Sequence, residues 1–223
     1  MSLNDKVKRE LATVLNTEFD AAEVQALIGC IAANNTYSLQ AKSSTPNFGI
    51  YLSGLWYDTA YSGVVSPTGY TGVADTIDIY PFFTGTDVNV DNFSVGITVG
   101  VAASNVRVVI YDSGDNYLPN RKIYESGNLS TATSTTVSGE AASFKFVAGK
   151  LYWIGVHNSS TATLRGVRDY ASVSLGLTTN TPATGNNNVL RKTAPFGSAP
   201  ISWGFTSADL AGGAPPSIRF RVV

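Results

Sequence analysis

The stretch from Asn105 to His157 constrains the fold most, because it contains two segments with the periodicity of β-strands. In Val106–Ile110 and again in Tyr152–Val156, apolar residues recur at every second position, which is the period at which the side chains of a β-strand share one face. Turn-forming residues follow the first segment at Ser113–Asn120 and precede the second at Ala148-Gly149. The pattern therefore predicts antiparallel strands, each with one face in a core.

Similar segments recur from residue 48 to residue 223. Further strands are predicted at residues 48–56, 75–83, 88–99, 201–205 and 218–223, with a weaker pair within 164–177. The apolar phase slips by one residue at Asp91-Asn92, which predicts a bulge or a break in that strand. Connections rich in turn residues are expected at Tyr57–Gly72, Ser130–Gly139 and Asn180–Pro195. About ten strands without βαβ spacing predict a mainly β fold, an antiparallel jelly-roll-like β-sandwich.

A short helical segment is predicted before the sandwich. Two apolar stripes at helical spacing occupy its helices, the first formed by Leu3, Val7, Leu11 and Val14 and the second by Val24, Leu27, Ile28 and Ile31. Asp20 and Glu23 suit the start of the second helix, and a polar, proline-containing linker follows near residues 40–47. We therefore expect a two-helix attachment segment at 1–45 and a β-sandwich domain at 46–223. Helices this short are marginal alone, so they should pack on each other, on the sandwich or on a partner.

Composition excludes several classes of function. Charged residues make up 14% of the chain and the formal net charge is −1, so we expect no nucleic-acid partner. The single cysteine, Cys30, excludes an intramolecular disulfide and a cysteine-clustered zinc site. No apolar run reaches the roughly 20 residues of a membrane span, so no membrane insertion is expected. Met1–Asn16 lacks the apolar core of a signal peptide, and we expect synthesis in the cytoplasm.

The search for catalytic motifs predicts no enzyme. The chain has no phosphate-binding loop, zinc-protease motif or nucleophile elbow, and its one histidine, His157, ends a strand without a second histidine nearby. We therefore predict no catalytic residue, no metal site and no cofactor. One alternative stays open, because acids scattered along the chain can converge in a fold and serve in glycoside hydrolysis: Asp75, Asp78, Glu125 and Glu140. The three tryptophans, Trp56, Trp153 and Trp203, suit a core or a sheet face better than a sugar platform.

Several short motifs in fixed order resemble a β-sandwich module of tailed-bacteriophage virion proteins. The first group comprises Asp75–Phe83, Val88–Val95, Val106–Gly114, Leu118-Pro119 and Glu125–Gly127; the second comprises Gly149–Val156, Leu164–Gly166 and Gly213–Val222. The resemblance covers about residues 48–223. It implies a virion location and a non-enzymatic structural protein of the tail-fibre, receptor-binding or capsid-decoration type. Its implied partners are other virion proteins and further copies of itself, with a trimer favoured.

Two readings of the binding surface remain open. A virion protein of this type contacts a host-surface glycan or protein receptor or neighbouring virion proteins, whereas a carbohydrate-binding module would use loop tyrosines and asparagines against a glycan. In either case, the long loops Tyr57–Gly72 and Asn180–Pro195 are the predicted contact surfaces. The individual candidates are Tyr61, Tyr70, Asn187 and Arg191.

Overall fold

A computed structural model describes residues 51–59, 65–114, 116–139, 142–167 and 187–223. All of them belong to the second of the two units into which the chain divides, residues 48–223. The predicted helices, with Leu3 to Val14 and Val24 to Ile31, lie outside the described residues. Within the described part the only helix is the short 3-10 turn Ser207–Asp209, and no helix there is long and apolar enough to cross a membrane.

The described residues form fourteen strands, all paired antiparallel. In chain order they are β1 Trp56–Asp58, β2 Val65–Thr71, β3 Thr76–Phe82, β4 Val88–Val99, β5 Asn105–Ser113, β6 Pro119–Glu125, β7 Leu129–Ser130, β8 Thr136–Ser138, β9 Phe144–Phe146, β10 Tyr152–Asn158, β11 Thr163–Val167, β12 Asn187–Thr193, β13 Leu210–Gly212 and β14 Ile218–Val222. The first sheet has the order β1-β14-β4-β11-β2, with β8 and β9 also paired to β4. The second has the order β13-β12-β3-β10-β5-β6, with β7 on β5. The prediction of a mainly β fold built of antiparallel sheets is confirmed.

The two sheets pack face to face around one large apolar core. Phe93 and Phe220 from the first sheet meet Val108, Ile110 and Ile154 from the second, and all five are fully buried. The strand phases read from the sequence are confirmed, because Val106–Ile110 and Tyr152–Val156 turn their alternate apolar side chains into this core. The burial of such side chains is the main favourable term in folding.

The second sheet is also covered on its outer face. Residues 194–205 cross that face, and Trp203 packs there edge-on against Tyr111 with ring centroids 5.1 Å apart. Ile77, Ile79 and Trp153 complete this smaller core with others. As a result all seven residues of β3 and all seven of β10 are buried. A strand that is buried on both faces requires its polar side chains to find partners inside the protein.

The predicted irregularity at Asp91 is confirmed as a bulge. Arg221 of β14 pairs with Asn92, but the next residue, Val222, pairs with Val90, so Asp91 is the extra residue on β4. The strand therefore keeps Val90 and Phe93 buried on either side of the slip. Asp91 turns outward and receives two hydrogen bonds from the guanidinium of Arg221, at 2.8 and 2.7 Å. The extra residue thus lets the apolar side chains of β4 face the core both before and after Asp91, although their alternation shifts by one residue there.

Several predicted connections contain strands, and those predictions were wrong in that respect. The expected loop Tyr57–Gly72 contains β2, and the expected loop Asn180–Pro195 contains β12. Ser130–Gly139 contains β8. Conversely, residues 201–205 form no strand; one isolated bridge joins Ser202 to Arg121.

Candidate functional site

The turn between β5 and β6 and the segment at 202–205 border a surface groove. One wall consists of Gly114, Asn116, Leu118, Pro119 and Asn120, and the other of Ser202, Gly204 and Phe205. The space between the walls has a volume of about 510 Å³. We name it the Tyr117 groove after the residue that stands between the lining residues Asn116 and Leu118 in the sequence.

Tyr117 has an unusual combination of backbone and side-chain properties. Its φ is +63°, in the left-handed region that a non-glycine residue rarely adopts. Its side chain is 73% exposed, one of the two highest values among the large apolar residues described. Neither property contributes to a core, so the packing of the sandwich does not explain the tyrosine at this position.

Hydrogen bonds hold the Tyr117 turn in shape. The backbone amide of Gly114 donates to the carbonyl of Leu118 at 2.9 Å, and the amide of Tyr117 donates back to the carbonyl of Gly114 at 3.0 Å. The indole Nε1 of the buried Trp153 donates to the Tyr117 carbonyl at 3.1 Å. The turn is therefore bonded to the core of the second sheet, while its aromatic ring is left in solvent.

The opposite wall is fixed by Trp203. Its backbone amide donates to the Asn120 carbonyl at 2.8 Å, and its indole Nε1 donates to Asp209 at 3.0 Å. The ammonium of Lys192 donates to the carbonyls of Trp203 and Gly204, at 2.5 and 3.1 Å. Both walls thus rest on buried indole rings, which gives the groove a rigid base.

The described lining of the groove is mainly polar. None of its described lining residues carries a charge. The amide oxygen of Asn116 accepts from the backbone amide of Leu118 at 3.2 Å, which directs its amide nitrogen away from that bond. The Asn120 side chain is exposed and has no hydrogen-bond partner among the described residues. Phe205 contributes a half-buried ring. The arrangement offers hydrogen-bonding amides beside aromatic surface.

Of the four residues predicted as contacts, the structure describes the side chains of two, Tyr70 and Arg191. Tyr70 lies in β2 with 3% of its surface exposed, so it is not a solvent-facing contact. Arg191 lies in β12, where its side chain is 34% exposed and is engaged by Asp78. Asn187 also lies in β12, although its side chain is not described, and Tyr61 lies outside the described residues.

Tyr70 and Arg191 instead belong to a buried polar network. The Asp78 carboxylate, fully buried, accepts two hydrogen bonds from Arg191, from Nε at 2.7 Å and from Nη2 at 2.9 Å. It also accepts the Tyr70 hydroxyl at 2.6 Å, and that hydroxyl accepts from Asn158 at 2.6 Å. Burial and the neighbouring Asp78 raise the pKa of Tyr70 well above its usual value. Because Tyr70 and Asp78 belong to different sheets, the network joins the two layers.

Three of the four acids considered for glycoside hydrolysis are described, and each of these is used in a separate structural contact. Glu125 lies between Arg107 at 3.0 Å and Lys122 at 2.5 Å. Burial opposes ionisation of Glu125, but hydrogen bonds from these two cations prevail and lower its pKa. Asp75 accepts the backbone amide of Phe196 at 2.8 Å, and Asp78 is held in the buried network. Glu140 lies outside the described residues. No group of three or more potential metal ligands occurs in the described part either.

The tryptophans divide between core and surface. Trp153 and Trp203 are buried, at 4% and 1% exposed, as predicted for core residues. Trp56 is 40% exposed in β1, where the guanidinium of Arg221 lies 5.8 Å from its ring centroid. The prediction of a core position is therefore confirmed for Trp153 and Trp203, whose rings lie beneath the two walls of the Tyr117 groove.

His157 is a buried structural residue in β10. Its Nε2 bonds to the carbonyl of Ala194 at 3.0 Å, while Nδ1 has no hydrogen-bond partner among the described residues. Burial lowers the pKa of His157, and the Ala194 carbonyl offsets only part of that effect. The histidine is therefore neutral in the folded protein at neutral pH.

We expect acid to destabilise the fold through this histidine. The unfolded chain gains a proton on His157 as the pH falls through its ordinary pKa of 6.5, whereas the folded chain does not. The free energy of unfolding should fall between about pH 7 and the lowered folded-state pKa. Urea denaturation of the wild type and of His157→Gln, which keeps a donor for Ala194, measures this. The glutamine variant should show the flatter profile above about pH 5, and equal slopes would contradict the assignment.

Sequence reasoning treated Ser113–Asn120 only as a turn and missed the groove. Tyr117 gave one usable signal, an aromatic residue in the middle of a run of Gly, Asp and Asn where turn chemistry has no need of it. No signal in the sequence pointed to Phe205, because the two walls of the groove are about 85 positions apart in the chain.

Comparison with known proteins adds no relative. No protein-family model matches the chain, and no curated protein matches it.

Proposed function

We propose that the chain is a non-enzymatic structural component of a tailed-bacteriophage virion, of the fibre, receptor-binding or capsid-decoration type. The proposal follows from the ordered motifs that resemble phage modules, and these motifs fall largely on strands of the sandwich, such as β3, β4, β5 and β10. In this proposal the sandwich has jelly-roll character and is displayed on the particle, and residues 1–45 attach it to other virion proteins or to further copies in a trimer.

The observation that favours recognition over catalysis is the separation of acids from the groove. Asp75, Asp78 and Glu125 are each held by their own structural partners, and Asp78 is fully buried. The described lining of the Tyr117 groove contains no carboxylate that would act as a general acid or nucleophile. A groove whose described lining has no carboxylate is suited to holding a ligand without altering it.

Labelling of intact particles tests the proposal. Antibodies raised against the purified chain should bind particles from a lysate of the phage that encodes it, and electron microscopy should place the label at a regular position. The full chain should also enter particles, while a chain that lacks residues 1–45 should stay in the soluble fraction. If purified particles carry no label, the virion assignment is wrong.

A second candidate is a carbohydrate-binding module that acts without a virion. The observation that favours it is the exposed ring of Tyr117, in the turn whose Asn116 and Asn120 line the groove. Retention of the isolated chain on polysaccharide, together with its absence from particles, would select this candidate.

A further inference from the structure

We propose that residues 194–205, which we call the cover segment, form an acid-sensitive flap that leaves the outer face of the second sheet when His157 takes up a proton. The opening is local and leaves the strands of both sheets paired, so it goes beyond the loss of global stability expected above. The inference does not depend on the proposed function, because the contacts that carry it all lie among the described residues.

The first argument is the position of His157 beneath the cover segment. Its side chain is fully buried, and two contacts of its ring are with that segment: Nε2 bonds to the Ala194 carbonyl at 3.0 Å, and the ring centroid of Phe196 is 5.2 Å away. A carbonyl only accepts, so Nε2 carries the hydrogen of the neutral ring and Nδ1 receives the second proton. Nδ1 has no hydrogen-bond partner among the described residues. Protonation in the closed form would therefore bury a charge without an acceptor for its new N–H.

The second argument is the set of charges near the histidine. The elements around His157 and the cover segment carry three cations and three carboxylates: Arg107, Lys122 and Lys192, with Asp75, Glu125 and Asp209. Burial has the largest effect and lowers the pKa of His157, and Arg107 acts in the same direction, whereas Glu125 and Asp75 act against it. Neither of these carboxylates bonds to Nδ1. The closed form thus resists a proton that a solvated imidazole accepts.

The third argument is how the cover segment is held. The segment contains no charged residue, and side chains of the sheet donate to its backbone carbonyls. Besides His157, these donors are the Tyr111 hydroxyl to Pro200 at 2.9 Å, the Lys122 ammonium to Ala199 at 2.8 Å and the Lys192 ammonium to Trp203 at 2.5 Å. Such bonds can break while β3, β10 and β5 stay paired with one another. Opening of the segment therefore requires less than unfolding of the domain.

Opening and protonation favour each other. In the open form His157 is in water, where its pKa is the ordinary 6.5, and in the closed form that pKa is lower. The open form consequently binds more protons below about pH 6.5, and its population rises as the pH falls. A single histidine limits this rise to about 10-fold between about pH 7.5 and about pH 5.5.

Amide hydrogen exchange of the full 223-residue chain, followed by NMR at about pH 5.5, 6.5 and 7.5, tests the proposal. The reporters are the amides of Lys122 and Trp203, which bond to the carbonyls of Ile201 and Asn120 where the cover segment meets β6. The control is the amide of Val222, which bonds to the Leu55 carbonyl in the first sheet.

After correction for intrinsic exchange rates, protection of the two reporters should fall about 5- to 10-fold from about pH 7.5 to about pH 5.5. Protection of Val222 should change less than about 2-fold over the same range, because local opening at β1 does not expose His157. In His157→Gln, which keeps a donor for Ala194 but has no imidazole to titrate, the reporters should lose their pH dependence.

Four other results would each overturn the proposal. Reporter protection as high as that of the buried Ile154 amide in β10 would show that the segment opens only with the whole domain. Reporter protection that does not change with pH would show that opening leaves His157 buried, and an equal pH dependence at Val222 would indicate a general effect of acid. These three results come from the wild type alone, so the test stands even if the glutamine variant does not fold. An unchanged pH dependence in His157→Gln would assign the proton to another group, such as Asp75 or Glu125.

Discussion

Replacement of Gly155 by alanine should prevent the sandwich from folding or reduce its stability by at least about 4 kcal/mol. Gly155 lies in the middle of β10 and pairs with Ile79 on one side and Val109 on the other. A Cβ built at this position would lie 1.8 Å from the carbonyl oxygen of Asp78 and 2.6 Å from the Cα of Ile79. Both contacts are with backbone of a central strand, so no side-chain rotation relieves them. A domain is stabilised by only about 5–15 kcal/mol in total, so most of the folded population should be lost.

Urea denaturation followed by far-UV circular dichroism measures the effect, and soluble yield gives a second readout. Gly127→Ala is the control, because a Cβ at Gly127 meets nothing within 4 Å and its φ is not in the left-handed region. The control should stay within about 0.5 kcal/mol of the wild type. A Gly155→Ala protein with the wild-type denaturation midpoint would show that the close approach of β10 to β3 is wrong.

Loss of Arg191 should cost about 3 kcal/mol, far more than loss of a similar arginine on the surface. Arg191→Ala removes two charge-assisted hydrogen bonds from Asp78, whose side chain is fully buried, and leaves the carboxylate without a cation. Arg221 makes the same two-point contact with Asp91, at 2.8 and 2.7 Å, but both partners are partly exposed. Arg221→Ala should therefore shift the denaturation midpoint much less than Arg191→Ala, since solvent screens the exposed pair.

The two arginine–aspartate pairs have nearly identical hydrogen-bond distances. A difference between the stability costs of Arg191→Ala and Arg221→Ala therefore measures the effect of burial. Denaturant midpoints of the two single variants give the difference directly. The double variant Arg191→Ala with Asp78→Asn should recover part of the loss, since it removes the unpaired charge. Equal costs for Arg191→Ala and Arg221→Ala would contradict the burial of the Asp78 carboxylate.

The central strands could be predicted from the sequence because the physical cause of their pattern is local. In β5 and β10 a sandwich core lies on one side, and alternate residues must be apolar. The bulge at Asp91 was predictable for the same reason, as a one-residue shift would otherwise have turned Val90 or Phe93 to solvent.

The edge of the first sheet could not be predicted in this way. β2, with the sequence Val-Ser-Pro-Thr-Gly-Tyr-Thr, contains Pro67 and Gly69, which are typical of loops. Proline is tolerated here because β2 is at the end of its sheet, where a missing donor need not break a ladder. Gly69 is needed because its backbone approaches that of Gly166 on β11, where a Cβ would lie 2.9 Å from the Gly166 Cα. Neither the edge position of β2 nor the close approach of Gly69 to Gly166 can be recognised from the sequence before the strand pairing is known.

The polar network and the groove were missed for a different reason, which is distance along the chain. Asp78 and Arg191 are paired across β3 and β12, and Tyr70 reaches them from the opposite sheet. The apolar alternation of β3 placed Asp78 correctly on one face, but nothing near it in sequence identified its cation. The Tyr117 groove likewise depends on how residues 202–205 return to the turn after β5.

Residues 194–205, which cover the outer face of the second sheet, also limit which strand edges are open to pairing with another copy of the chain. Along the free side of β6, the amide of Lys122 donates to the carbonyl of Ile201 at 2.7 Å, and the carbonyl of Asn120 accepts the amide of Trp203 at 2.8 Å. An exposed strand edge is a template for uncontrolled association, and this edge is already capped by the chain itself. Edge-to-edge assembly through this stretch of β6 would require the release of Trp203 from its core. A trimer built by strand addition would have to use another edge, such as that of β1, β2 or β13.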